Sequence, residues 1–180
     1  MRSWDGRWFA DRRADYRQNL IRDIRIRDYF NTKMKAASVS RVEIERGPAS
    51  GGKERETVLT VHTSRPAMVI GRGGSGISVI QNDLKRIMGG KTRFRVNVQE
   101  IRNPDTEASA VATQVVEQLE RRFSFRRVLK QAVARSIQAG ALGVRVEVAG
   151  RLNGAEIARK EWLAEGNVPL HTFRSDRSFA

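Results

Sequence analysis

The chain has 180 residues, of which 34 are Lys or Arg and 20 are Asp or Glu, giving a formal charge of +14 and a pI near 11.3. It has no cysteine and two histidines, His62 and His171, which excludes disulfides, thiolate metal sites and cysteine nucleophiles and leaves too few imidazoles for a histidine-based metal site. No uncharged apolar run approaches the ~20 residues of a bilayer span, and a compact body of this charge repels itself unless a polyanion such as nucleic acid neutralises it.

Residues 1–14 read as a basic, aromatic arm: Trp4, Trp8 and Phe9 stand among Arg2, Arg7, Arg12 and Arg13, with no apolar segment of the secretory kind. Asp15 is placed to cap a helix over about 15–37, with Leu20, Ile21 and Ile24 as its apolar side. The alternation around Ile24 and Ile26 keeps a strand open there. Residues 39–46 alternate Val42 and Ile44 against Arg41, Glu43 and Glu45, the pattern of a half-buried strand. The break at 47–52 and a second strand over 57–63 complete a hairpin. Pro66 opens a short helix. The stretch 71–76 reads Gly-Arg-Gly-Gly-Ser-Gly. A helix follows from about Ser75, with Ile77, Ile80, Leu84, Ile87 and Met88 spaced three and four apart, and Gly89-Gly90 ends it. A strand spans 93–101, and Asn103-Pro104-Asp105 is a natural boundary.

Beyond it, residues 106–122 form a helix with Val111, Val115 and Leu119 on one side. A second helix over about 124–139 gathers Phe125, Val128, Leu129, Ala132, Val133 and Ile137 on one arc, and Gly140 caps it. A strand spans 143–149, residues 150–154 turn the chain, and 156–163 and 167–174 read as two more strands. The fold class is α+β, in three segments: the arm at 1–14, a first domain at 15–104, and a second α+β domain at 105–180 with two helices packed on a small sheet.

Two segments point to chemistry. Glycines let a backbone approach a ligand closely and adopt left-handed angles. The helix after the glycine stretch offers N–H groups and a positive dipole end, and Arg72 adds a charge. Gly71, Gly73 and Gly76 fit the dinucleotide pattern G-x-G-x-x-G. That motif should follow a buried strand directly and precede an acidic residue about 20 positions on; here a helix precedes it and Lys91-Thr92-Arg93-Phe94-Arg95 lies downstream. A P-loop needs lysine where Ile77 stands. The G-x-x-G loop of a KH domain, which grips about four backbone nucleotides, fits Gly71-Arg72-Gly73-Gly74 after Val69-Ile70. The order strand, strand, short helix, G-x-x-G, helix, strand is that of a type II KH domain. The second segment is the basic helix: Arg121, Arg122, Arg126, Arg127, Lys130 and Arg135 occur with no acid among residues 121–135. Solvated faces usually mix signs, so this run favours phosphate contact.

Longer stretches carry a family resemblance. They are Glu120-Arg121-Arg122-Phe123-Ser124-Phe125-Arg126-Arg127, Gly150-Arg151-Leu152-Asn153-Gly154-Ala155-Glu156-Ile157-Ala158-Arg159, Val168-Pro169-Leu170-His171-Thr172, Ser40-Arg41-Val42-Glu43-Ile44-Glu45-Arg46 and His62-Thr63-Ser64-Arg65-Pro66. Taken in chain order, and over about 4–176, the chain resembles the bacterial-type small-subunit ribosomal protein S-three family. The resemblance implies a type II KH domain followed by a separate α+β domain. It implies a place in the small-subunit head against ribosomal RNA, lining the channel through which mRNA enters. Arg126, Arg127 and Lys130 would help separate incoming mRNA strands, holding them while translocation does the work. The tenth and fourteenth proteins of the subunit would be neighbours. The nucleic-acid contacts would then come from Arg65, Ile70, Gly71, Arg72, Gly73 and Gly74 in the first domain, and from Arg121, Arg122, Arg126, Arg127, Lys130, Arg135, Arg151 and Arg159 in the second. No cofactor, metal, membrane or small-molecule substrate is implied, and the location is the ribosome, in the cytoplasm or an organelle interior. The family usually has an arm before Trp4, and a last strand and basic tail after Phe179, so the second domain is expected to lack that strand. The 47–53 loop is longer than usual, and Asn153 stands where the family favours glycine. A free KH regulator of mRNA and a nuclease or lyase are the rival readings; no carboxylate cluster of the kind a metal-dependent nuclease needs is evident.

Overall fold

The computed structural model describes residues 4–47, 56–88, 93–172 and 174–180. The chain divides into two compact units, Met1–Arg102 and Asn103–Ala180. In the first, the elements are β1 (Gly6–Arg7), α1 (Arg13–Lys33), β2 (Val39–Arg46), β3 (Glu56–Thr63), α2 (Pro66–Ile70), α3 (Ser75–Met88) and β4 (Arg93–Glu100). The sheet order is β1-β2-β3-β4, with β2–β3 antiparallel and the two outer pairs parallel. The expected order of helices and strands is therefore present. The tip of the β2–β3 hairpin and the Gly89-Gly90 helix stop lie outside the described residues.

Period two sets the core of this unit. On central β3, Thr57, Leu59, Val61 and Thr63 are all buried, while Val58, Thr60 and His62 are half-buried on the other face. Against the buried face lie Ile26, Tyr29 and Phe30 of α1, Val69 of α2, and Ile80, Leu84 and Met88 of α3. Each large apolar side chain fully withdrawn from water contributes roughly 1.5–3 kcal/mol.

Helix α1 departs from expectation. It is a helix throughout, so no strand forms at Ile24 and Ile26, and it begins at Arg13 without a side-chain cap; Asp15 sits in its first turn instead. Leu20, Ile21 and Ile24 face outward, 42%, 40% and 50% exposed, while Asn19, Asp23, Ile26, Tyr29 and Phe30 face inward. The reason is a buried ion pair. Asp23 pairs with Arg46 of β2 and accepts a 2.7 Å hydrogen bond from Trp8 Nε1, and the Arg46 guanidinium lies 5.3 Å from the Trp8 ring centre. A buried carboxylate is tolerated when it is paired and hydrogen-bonded. The N-terminal segment read as an arm thus joins the sheet. Gly6 and Arg7 pair with Ile44 and Glu45, and Ile44 N donates to Asp5 O at 3.0 Å.

The second unit has α4 (Ala108–Glu120), α5 (Phe125–Gln138), β5 (Gly143–Gly150) and β6 (Arg159–Gly166). Both helices are where the periodicity places them. The strands expected over 156–163 and 167–174 are replaced by β6 alone, antiparallel to β5 from Gly143↔Gly166 to Gly150↔Arg159. Eight residues of β5 offer ladder positions for eight of β6, and residues 167–172 form no strand. On the inner face Phe125, Leu129 and Leu152 form a buried cluster against Leu119, Val146, Val148 and Leu163.

Candidate nucleic-acid interface

In the first unit the glycine loop joins α2 to α3. Arg65 precedes α2; it is exposed, and its Nη1 donates to Ala36 O at 3.1 Å. Val69 is buried and anchors α2, while Ile70, 37% exposed, stands at the lip of the loop. Gly71, Gly73 and Gly74 adopt positive φ of 70°, 61° and 80°. The glycines divide by role. A Cβ on Gly71 would lie 2.8 Å from Gly76 N, and one on Gly76 would lie 2.5 Å from Val69 O, so these two permit the α2–α3 approach. A Cβ on Gly73 or Gly74 would meet nothing within 4 Å. Those positions need glycine for their left-handed angles, and they leave the loop crest open to an approaching backbone. Arg72 is exposed on that crest.

In the second unit, Arg126, Arg127 and Lys130 are exposed on α5 around a buried row of Phe125, Val128, Leu129 and Val133. Spacings of three and four bring Arg127 and Lys130, and Arg126 and Lys130, onto one side. Arg135 is exposed in the last turn, where a cation complements the helix dipole. The first turn does the reverse. It has no acidic residue, Ser124 makes no side-chain cap bond, and two arginines sit at the positive end of the dipole. Each such placement costs about 0.3–1 kcal/mol at an exposed site, a cost that a bound polyanion removes. An open groove of about 780 Å³ runs beside these residues, lined by Phe125, Leu129, Arg126, Arg127, Lys130 and Trp162.

The remaining predicted residues border this surface. Arg121 is the C-cap residue of α4 and Arg122 follows it at φ 60°; both are exposed. Arg159 lies across the ladder from Gly150. Its guanidinium is 5.9 Å from the Phe125 ring centre, and Arg126 stands 5.7 Å from the same ring. Arg159 also pairs with Glu161 at 3.7 Å. Arg151 Nε donates to Ala155 O at 2.9 Å, bracing its own turn. Trp162, 58% exposed with the Arg145 guanidinium 4.8 Å from its ring centre, was not among the expected residues. Its signal was present as an aromatic directly after the charged run Arg159-Lys160-Glu161 on a strand, but the groove it lines exists only once β6 packs beside α5.

Among the described residues no group of three or more His, Asp or Glu could hold a metal ion, and no helix is long and apolar enough to cross a membrane.

Comparison with known proteins covers both units. A family described as "KH domain" matches residues 25–106, and one described as "Ribosomal protein S3, C-terminal domain" matches 115–180. The chain is 45% identical over 176 residues to the small ribosomal subunit protein uS3 of Desulforudis audaxviator, covering 98% of this chain and 77% of the relative. It is 44% identical over 180 residues to that of Ligilactobacillus salivarius, covering 100% and 78%. With that of Methylococcus capsulatus it shares 46% over 176 residues, covering 98% and 75%.

Proposed function

Because the chain belongs to the ribosomal protein S3 family, whose KH and C-terminal domains it carries in order, we propose that it lines the channel by which mRNA enters the small subunit. Family membership makes it an RNA-binding structural protein of the small ribosomal subunit rather than an enzyme. The finer reading adds a place in the subunit head, in the cytoplasm, next to the tenth and fourteenth proteins. In it the first domain spans 15–104 and the second 105–180. The loop of Gly71, Arg72, Gly73 and Gly74, flanked by Arg65 and Ile70, grips a nucleotide backbone. The second unit holds mRNA and rRNA phosphates with Arg121, Arg122, Arg126, Arg127, Lys130, Arg135, Arg151 and Arg159.

The observation that carries this reading is the first turn of α5, where Arg126 and Arg127 oppose the helix dipole with no acid in that turn. A fold gains nothing by itself from that arrangement, whereas a strand of phosphates laid along it gains charge-assisted hydrogen bonds. Fixed cations hold separated strands without a chemical step, so no nucleotide hydrolysis is required of this chain. Sucrose-gradient sedimentation of cell extract tests the assignment. The protein should co-migrate with small-subunit rRNA and with 70S particles, and finding it only at the top of the gradient would leave a free RNA-binding regulator as the better reading.

A further inference from the structure

Resting on the RNA-binding reading above, we propose that the groove between α5 and β6 takes unpaired bases of a single RNA strand whose phosphates lie on the α5 cations. The groove has two unlike walls. On the α5 wall Arg126, Arg127 and Lys130 are exposed, and among the described residues none of them forms an ion pair. The whole of α5 carries no acid. On the outer face of the β5–β6 hairpin the signs are mixed instead: Arg145 and Lys160 share Glu147, at 3.3 Å and 3.9 Å. A solvated face balances its charge in that way, and the α5 wall does not. The β6 wall is built for hydrogen bonding. β6 pairs only with β5, so alternate residues of 159–166 turn backbone N–H and C=O groups to a side with no ladder partner among the described residues. Glu161 is half-buried in the groove, with its Oε1 3.7 Å from Arg159 Nε. The floor between the walls is apolar, from Phe125, Leu129 and Leu163.

These parts match a nucleotide laid across the groove. Phosphate pairs with the α5 cations, the base covers the apolar floor, and its edge meets Glu161 and the free backbone of β6. A carboxylate repels phosphate and accepts from the amino group of a base, so Glu161 keeps the nucleic-acid backbone on the α5 side. Paired RNA cannot bind in this manner, because its base edges are engaged in the duplex, whereas unpaired bases splay out and offer them. The groove volume of about 780 Å³ falls within the range of small-ligand clefts, about 300–1,000 Å³. An extended peptide would also pair with the edge of β6, but its neutral backbone leaves the three cations unused. The second unit therefore favours a strand after it has been separated, by holding both its phosphates and its bases.

Hydrogen–deuterium exchange of the full chain reads the β6 edge directly. Oligocytidine, whose bases carry amino donors, should slow amide exchange over 159–166 several-fold, and a base-free ribose-phosphate strand of the same length should not. Titration of the same two strands, fluorescein-labelled, then isolates Glu161, with circular dichroism as the check on folding. Glu161→Ala removes an acceptor and a negative charge together. Its affinity should fall several-fold for oligocytidine and stay level or rise for the base-free strand, while Glu161→Gln, which keeps an acceptor oxygen, should lie nearer wild type. Exchange over 159–166 that ignores oligocytidine, or slows equally with the base-free strand, overturns the groove assignment. So does an E161A loss that is equal for both strands. In each of those results the phosphate contacts of α5, read from the salt slope, still stand. A peptide of alternating Glu and Val that slows β6 exchange more than oligocytidine does at equal excess would make the groove a strand-docking site instead. A wild-type protein that binds neither strand brings down both readings.

Discussion

Arg122 occupies a position built for glycine. Helix α4 ends with Phe123 N donating to Gln118 O at 3.2 Å and Arg122 N to Leu119 O at 2.9 Å, which is a Schellman closure. Helix α5 ends the same way, with Ala141 N to Ser136 O and Gly140 N to Ile137 O, and there the left-handed residue is Gly140 at φ 98°. Placing a Cβ in that conformation costs about 1 kcal/mol. Strain retained at an exposed cation is what a functional constraint leaves behind. Arg122→Gly should therefore raise the unfolding free energy by about 1 kcal/mol in urea denaturation while lowering RNA affinity; a variant that gains stability and keeps full affinity would show the arginine to be idle. Asp23 is the opposite case, a polar residue essential to the fold. Asp23→Ala removes the buried carboxylate that pairs with Arg46 and accepts from Trp8 Nε1. It should lose about 3–5 kcal/mol, read as a lowered urea midpoint.

At the scale of elements, α5 combines two independent faces. Its buried row holds the second unit together, and its exposed cations stand outside that row, with Arg126 alone over a core ring, that of Phe125. The triple change Arg126, Arg127 and Lys130 to Ala should change the unfolding free energy by less than about 1.5 kcal/mol, since exposed substitutions rarely exceed about 0.5 kcal/mol each. It should lower the slope of log affinity against log salt by about 0.7–0.9 for each phosphate contact removed; an unchanged slope would mean that α5 does not touch phosphate. The glycine loop separates in the same manner. Gly76→Ala should destabilise the first unit, because the added methyl meets Val69 O at 2.5 Å. Changing Arg72 and Gly73 to Asp should spare the fold's packing contacts and weaken single-stranded RNA binding, which filter binding beside circular dichroism distinguishes.

For the molecule as a whole, a charge of +14 makes the compact state self-repelling, so a few polar ties between elements matter more than their number suggests. One joins α1 to α3. Tyr29 Oη donates to Asp83 at 2.9 Å and Lys33 Nζ lies 3.2 Å from the same carboxylate. Burial, with the Asp83 hydrogen bond and charge adding to it, pushes the Tyr29 phenol up to about 12. The hydrogen bonds from Tyr29 and Lys33 hold Asp83 below its ordinary value. The signs follow from linkage. Asp83, depressed in the fold, stabilises above its unfolded pKa and loses that contribution as pH falls through the folded one. Tyr29, raised in the fold, stabilises below about pH 10 and loses that contribution as pH rises toward about 12. Thermal stability should therefore be flat through neutrality and fall at both ends. Tyr29→Phe should remove part of the alkaline fall and cost about 1–2 kcal/mol at neutral pH; an identical alkaline profile in that variant would place the titration elsewhere.

Charge, the absence of cysteine, the periodicity of β2, β3, α3 and α5, and the glycine spacing were legible without coordinates, because each is a local property that period and composition express directly. The polyanion partner and the α+β class follow from them. What required the tertiary structure were the places where distant residues settle a local question. Asp23 turns the inner face of α1 polar because Arg46 and Trp8, from other parts of the chain, neutralise and bond it. A single β6 replaces two expected strands, its eight residues pairing with all eight of β5. Asn153 repeats the backbone angles of Gly73, and Arg122 closes its helix in the left-handed region as Gly140 does, though neither is a glycine. Backbone angles at non-glycine residues, and burial of paired charge, are set by the surrounding packing rather than by the residue's own preference, so folding alone decides them.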